Sequence, residues 1–201
     1  MVAALHRADG SDTYSANGYT VLASVNGPIE VQRRDELAEE AAVDVHIRPA
    51  SGVGGTIERN LESILHSTLT RIILMHQFPR TLIQLTLQIL SLPDYTAAPP
   101  SDTKTNPSSI LALLPSLLQT SLNALLSASI PLNTIYASTF ITSKSSQHVF
   151  AFSGTGEMLV AQSEGVFGIE EWDTIAKEAE ATCLRSIDQV RAVADIGGYG
   201  T

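Results

Sequence analysis

The side chains that could carry chemistry in this sequence are few and unevenly spread. Its 201 residues hold 12 Lys and Arg, 21 Asp and Glu, 5 His and one Cys. No arginine occurs from Thr81 to Leu184, no Asp or Glu from Thr103 through Gly156, and no charged residue of any kind from Thr105 to Ser143. Holding an anion for catalysis calls for cationic donors, and metal or proton-transfer chemistry calls for carboxylates or imidazoles. The middle of this chain supplies none of these except His at its far end. His6, His46, His66, His76 and His148 are scattered, with no pair at the one-turn helical spacing of a zinc protease and no nearby cysteine for a zinc knuckle. Each reads as a surface or core histidine, and no metal or cofactor is expected. Gly52-Val53-Gly54-Gly55, between a predicted strand and a predicted helix, could cradle phosphate on free amides. Its spacing fits neither the dinucleotide fingerprint nor the P-loop, so it reads as an ordinary loop. Glu157 follows Gly154-Thr155-Gly156, a turn between two strands. With no Gly-x-Ser-x-Gly elbow and with Cys183 on a packing face, an independent hydrolase is not expected.

The elements that must position these groups follow from periodicity. A short strand is predicted at the start, Leu5 to Ser11, turned by Asp9-Gly10, with a second turn at Ala16-Asn17-Gly18. Tyr19 to Val25 reads as a strand ending at Asn26-Gly27-Pro28. Ala41 to Pro49 reads as another, alternating Val43, Val45 and Ile47 against Asp44, His46 and Arg48. Arg33-Arg34-Asp35-Glu36 with Glu39-Glu40 reads as a solvated loop. Thr56 is the expected cap of a helix carrying Ile57, Leu61, Ile64, Leu65, Ile72 and Met75. A strand from Phe78 to Leu90 leads to an exposed Pro/Ser/Thr-rich insertion at about 93–107 and then to an uncharged, Leu-rich helix. Either that helix starts near Pro107 with Asn106 as cap and kinks at Pro115, or it begins at Pro115. Both versions align Leu114, Leu118, Leu122 and Leu125. Strands follow at Thr134–Ile141, His148–Phe152 and Met158–Gln162. A final amphipathic helix places Trp172, Ile175, Ala176, Ala179, Cys183, Ile187 and Val190 on one face.

Length and a 44% hydrophobic composition predict one domain with one sizeable core. The uncharged run is expected to be covered by protein on both faces. The polar residues within it, and the lack of flanking basic anchors, make it a core helix rather than a membrane span. The single cysteine and the absence of a basic segment leading into an apolar block favour a reducing intracellular compartment. A net charge of −9 argues against strong unaided nucleic-acid binding.

Several short strings stand in a fixed order along the chain. They are Asp9-Gly10-Ser11, Ser24-Val25-Asn26-Gly27-Pro28-Ile29-Glu30-Val31 with Arg34-Asp35-Glu36, Glu58-Arg59, Phe78-Pro79-Arg80-Thr81 and Ala128-Ser129-Ile130-Pro131. Together, across Leu5 to Leu132, they resemble the RNase PH family, and within it the RNase PH-like ring subunits of the eukaryotic RNA exosome. The remainder resembles the family only in its pattern of elements. The resemblance implies an α/β, RNase PH-like fold of mixed β-sheets packed with long α-helices. It also implies a hexameric ring of related chains with RNA threading its centre. The implied partners are other RNase PH-like ring subunits as heterodimers, S1-domain cap subunits and RNA, with no membrane. The implied residence is nucleus and nucleolus, and also cytoplasm.

Active members of this family hold inorganic phosphate on an Asp-Gly-Gly-Thr-Arg turn and place carboxylates on a later strand. Counting back from Ile130-Pro131, the Thr-Arg position falls on Leu113-Leu114. The lack of arginine from Thr81 to Leu184 makes that loss independent of register. The acidic strand is replaced by Thr142-Ser143-Lys144-Ser145-Ser146-Gln147, and Glu157, in a string resembling one in bacterial enzymes, is left as a turn residue. The expectation is a catalytically inactive ring subunit of the exosome, with no catalytic residues of its own. The alternative is an active phosphate-dependent 3′ to 5′ exoribonuclease completed by unfamiliar residues or by a neighbouring chain. A third reading is a homo-oligomeric binding module unrelated to RNA. Four arginines are candidates for RNA contact. Arg59 matches a family position near the RNA path. Arg80 follows the Phe78-Pro79 bend, where fixing a loop or an interface is the favoured role, and Arg33 and Arg34 complete the set.

Overall fold

A computed structural model describes residues 5–93, 110–143 and 145–197, and contacts group the chain into two compact units, Met1–Asn133 and Thr134–Thr201. Composition marks no linker at that division, because Pro131 to Ser143 is uniformly uncharged. The insertion expected at about 93–107 lies almost wholly outside the described residues, as does the Asn106 cap.

The first unit is built on a four-stranded mixed sheet: β1 (Gly10–Ala16), β2 (Tyr19–Glu30), β3 (Ala42–Arg48) and β4 (Thr81–Ser91), in the order β1-β2-β4-β3. β1, β2 and β4 are antiparallel neighbours, whereas β3 runs parallel to β4, as a crossover connection allows. Strand alternation decides the faces. Val21, Ala23 and Val25 stand opposite Ile89, Leu87 and Leu85, and Leu85 and Leu87 also oppose Val45 and Ile47. All of these are buried, while Leu22, Ser24, Gln84, Thr86 and Gln88 on the other face are only half-buried. Two helices cover the apolar side, α1 (Thr56–Ile72) against β3 and α2 (Ile110–Ser127) against β1 and β2.

Several local expectations change here. Asp9-Gly10 is not a turn closing a strand but the start of β1. Gly10 faces α2 so closely that a Cβ would run into the Ala124 carbonyl and the Ala128 amide. Only the missing side chain lets helix and strand meet at that point. β2 does not stop at Asn26 but continues through an irregularity between Asn26 and Ile29, because pairing to β4 resumes at Leu82 and Thr81. The cap of α1 is Gly55 rather than Thr56: its amide donates to the Glu58 carboxylate at 2.7 Å. α1 ends at Ile72, and Met75 belongs to a separate 3-10 turn, Met75–Gln77. Ile57 is exposed. The strand expected from Phe78 begins at Thr81. Pro115 lies inside α2, which is already helical at Ile110, so the version starting at Pro115 is set aside. The cost of a proline there, about 3 kcal/mol, is outweighed by burial of Leu113, Leu114, Leu117, Leu118, Leu122 and Leu125. Ser116, Thr120 and Ser121 are buried as well, so the uncharged run is covered around nearly its whole circumference.

The second unit is an antiparallel sheet, β5 (Tyr136–Thr142), β6 (Ser146–Ser153) and β7 (Met158–Gly165), packed by α3 (Ile169–Gly197). Phe150 and Phe152 of β6 meet Ile175, Ala176, Ala179, Cys183 and Ile187 of α3, with Trp172 against the same cluster. Val190, expected on that face, is exposed. No helix of the described residues is long and apolar enough to cross a membrane.

Candidate nucleic-acid interface

The four arginines singled out from the sequence fall at two places. Arg59 stands exposed in the first turn of α1, just beyond the end of β3 at Arg48, and forms no ion pair among the described residues. Arg80 precedes β4 in a left-handed conformation (φ 60°), its amide directed at the carbonyls of Leu37 and Glu40. Its guanidinium lies 3.4 Å from Glu36. Arg33 and Arg34 sit in the loop that Arg80 thus holds, Arg34 beside Asp35 at 3.4 Å. Three of the four candidates therefore gather at the start of β3, and Arg59 lies near its end. Seven residues of strand separate the two groups, about 20 Å of rise. Strand alternation also leaves Arg48 exposed at the Arg59 end without an ion pair, a second cation that the Val/Asp/Val/His/Ile/Arg pattern could have flagged.

The loop reading of Gly52 to Gly55 gains a physical reason. The carboxylate of Glu58 already occupies the Gly55 amide, and Glu62 accepts the Ile47 amide at 2.8 Å. The Glu58 carboxylate thus satisfies one of the donors that a phosphate at this turn would otherwise need. At the other end of β3, a groove of about 460 Å³ is lined by Val31, Arg34, Asp35, Asp44, Leu82 and Gln84, a mixed surface without excess positive charge.

Leu113 and Leu114, which stand where the Thr-Arg pair was sought, lie within α2 and are buried in the apolar core. Glu157 is exposed beside a tight turn: the Gly156 amide donates to the Ser153 carbonyl and the Glu157 amide to Ser153 Oγ at 3.0 Å. Among the described residues, no three of His, Cys, Asp and Glu converge as a metal site would require. His46 and His76 are exposed beside Asp44 and Glu40, at 2.9 and 3.5 Å. His148 is wholly buried between Ser163 (Nδ1···Oγ 2.8 Å) and Ser146 (Nε2···Oγ 2.9 Å). Burial holds its pKa below the ordinary value, against the pull of nearby Glu171. Burial likewise pushes the Cys183 thiol up to about 11, leaving it unreactive packing material.

The ordered strings turn out to be joints of the fold. Asp9 accepts the Gly27 amide at 2.8 Å, Ser11 accepts the Leu5 amide at 2.8 Å, and the Thr81 hydroxyl donates to the Phe78 carbonyl at 2.8 Å. Ser129, at φ 57°, ends α2 with the Ile130 amide returning to the Leu125 carbonyl, the bond pattern of a left-handed helix stop.

Comparison with known proteins agrees with this geometry. The chain is 41% identical over 86 residues to the exosome complex component rrp46 of Schizosaccharomyces pombe, and 43% identical over 86 residues to that of Saccharomyces cerevisiae. The matched stretch is 43% of this chain but only 38% and 39% of those relatives. The crystal structure of rice Rrp46 superposes with a TM-score of 0.76 at 24% identity, over 94% of this chain and 90% of that one, which establishes the RNase PH-like fold. Residues 2–131, more than half of the length, match domain 1 of the 3′ exoribonuclease family, RNase PH, and the chain belongs to that family.

Proposed function

We propose that this chain is a non-catalytic ring subunit of the RNA exosome, supporting 3′ to 5′ RNA processing and degradation through its interfaces and a few RNA contacts. The observation that supports an absence of catalysis is the pair Leu113-Leu114, buried inside α2, at the position where the family resemblance implies a phosphate-holding Thr-Arg. A leucine offers no donor to an anion, and no arginine occurs anywhere from Thr81 to Leu184 to replace it. The exosome assignment draws on the names of the fungal relatives. Its natural partners are then other RNase PH-like subunits, paired within a hexameric ring, together with S1-domain cap subunits and RNA. The same reading puts the protein in the nucleus and nucleolus as well as the cytoplasm.

The test is direct. Purified chain, alone and mixed with an RNase PH-like ring partner, is incubated with single-stranded RNA and inorganic phosphate, and nucleoside diphosphates are measured. The expected outcome is a stable heterodimer and no diphosphate release above that of the partner alone. Phosphate-dependent release by this chain would establish the phosphorolytic alternative instead.

A further inference from the structure

The connection from β7 to α3 presents large apolar side chains to solvent in the second unit. Val166 is 81% exposed and Ile169 85%, with Phe167 between them partly exposed. A flexible loop would fold such groups inward, but this one is held open. The Val166 amide donates to the Ser145 carbonyl at 3.1 Å, and the Ser145 hydroxyl returns a bond to the Val166 carbonyl at 2.9 Å. Gly165 takes φ 116°, and a Cβ there would overlap the Ser145 carbonyl, so the two connections are pressed together. Phe167 packs edge-on against the buried His148 ring at 4.9 Å, and the Trp172 amide closes the first turn of α3 on Gly168 at 3.0 Å. The result is a rigid apolar knob rather than a loose tip.

Among the described residues, the charged side chains that flank it in sequence carry one sign. Glu164 precedes it, and Glu170 and Glu171 follow it, all exposed, while the nearest described cation, Lys177, is bonded to Asp173 at 2.6 Å. Phosphates of RNA or of an anionic membrane are repelled by such a rim. A second copy of this chain is a poor fit, since its net charge is −9 and its own groove carries Asp35 and Asp44. We propose that Val166, Phe167 and Ile169 form a docking knob for a different protein chain, inserting into an apolar pocket rimmed by Lys or Arg. Burial of preorganised side chains avoids most of the ordering cost of association, and the acidic rim sets orientation and rate. The inference does not depend on whether the chain is catalytic.

Trp172, the single tryptophan of the sequence, lies at the base of the knob and reports on it. The full chain is titrated with a synthetic amphipathic helical peptide of Leu and Lys, and with a Leu and Glu peptide of the same length, while Trp172 emission is followed. The Leu/Lys peptide is expected to bind saturably, the Leu/Glu peptide not at all. The double variant Val166→Ser, Ile169→Ser should weaken binding at least tenfold with an unchanged circular dichroism spectrum. Glu164→Gln with Glu170→Gln should lessen its salt dependence. Binding that survives the serine variant unchanged, or no binding of the Leu/Lys peptide, overturns the proposal. So does a dimer seen by light scattering that the serine variant abolishes, since the knob would then serve self-association.

Discussion

At the scale of single residues, the best-defined chemical environment belongs to His148. The Trp172 indole can only donate, and it donates to Ser163 Oγ at 3.1 Å. Ser163 keeps its own proton and a second lone pair, so it can pair with Nδ1 in either neutral tautomer, and Ser146 does the same for Nε2. This network is complete with a neutral ring, and burial opposes charging it, with Glu171 working the other way. The linkage sign follows. The folded pKa is depressed below about 6.5, so as pH falls past that value the unfolded chain takes up a proton that the folded chain refuses. The network's contribution is full above the unfolded pKa and declines toward the lower folded one. Urea midpoints compared between pH 8 and pH 5 should show the parent losing stability on acidification more than His148→Gln, which cannot titrate. Equal slopes for the two would show that His148 does not carry the acid sensitivity. At neutral pH the same substitution should cost about 1–3 kcal/mol, the range for a disrupted buried hydrogen-bonding group.

At the scale of elements, the sharpest constraint is the contact between β1 and α2 at Gly10. A Cβ there meets backbone atoms of Ala124 and Ala128, which no rotamer change can relieve. Gly10→Ala should therefore cost about 3 kcal/mol, toward the upper end for overpacking, lowering the thermal midpoint by roughly 6–12 °C. Gly54→Ala, whose added carbon would make only ordinary contacts, should change it little, and similar midpoints for the two variants would refute the close packing. This contact also explains what sequence could and could not disclose. The alternation in β3, the Leu stripe of α2 and the apolar face of α3 were legible because each depends on local period. Asp9-Gly10 was misread because the reason for that glycine lies on a helix more than a hundred residues away. The lack of arginine from Thr81 to Leu184 was legible, since an absent residue type needs no fold to be recognised. The division of the four arginines was not, since it depends on the parallel pairing of β3 and on the loop folded onto Arg80.

At the scale of the whole molecule, charge and its distribution govern what the isolated chain does with RNA. The net charge is −9, and the candidate cations are divided between two places about 20 Å apart by strand rise. Arg80 and Arg34 already face Glu36 and Asp35, whereas Arg33, Arg48 and Arg59 are in no ion pair among the described residues. Each phosphate contact on a single strand contributes about −0.7 to the slope of log affinity against log salt. One to three contacts give a slope of roughly −1 to −2, so the chain alone should bind a labelled oligouridine weakly, with Kd above about 10 μM at physiological salt. Fluorescence anisotropy across a salt series then separates the arginines. Arg59→Ala should weaken binding and flatten the slope by about 0.7, a loss spread evenly over RNA sequences. Arg80→Ala should leave RNA affinity nearly intact and act on the loop it holds, with a small loss of stability, about 1 kcal/mol or less for an exposed pair. An equal loss of RNA affinity in both variants would mean that RNA, not Glu36, is the working partner of Arg80. A steep slope for the isolated chain would mean that it carries a continuous basic path by itself.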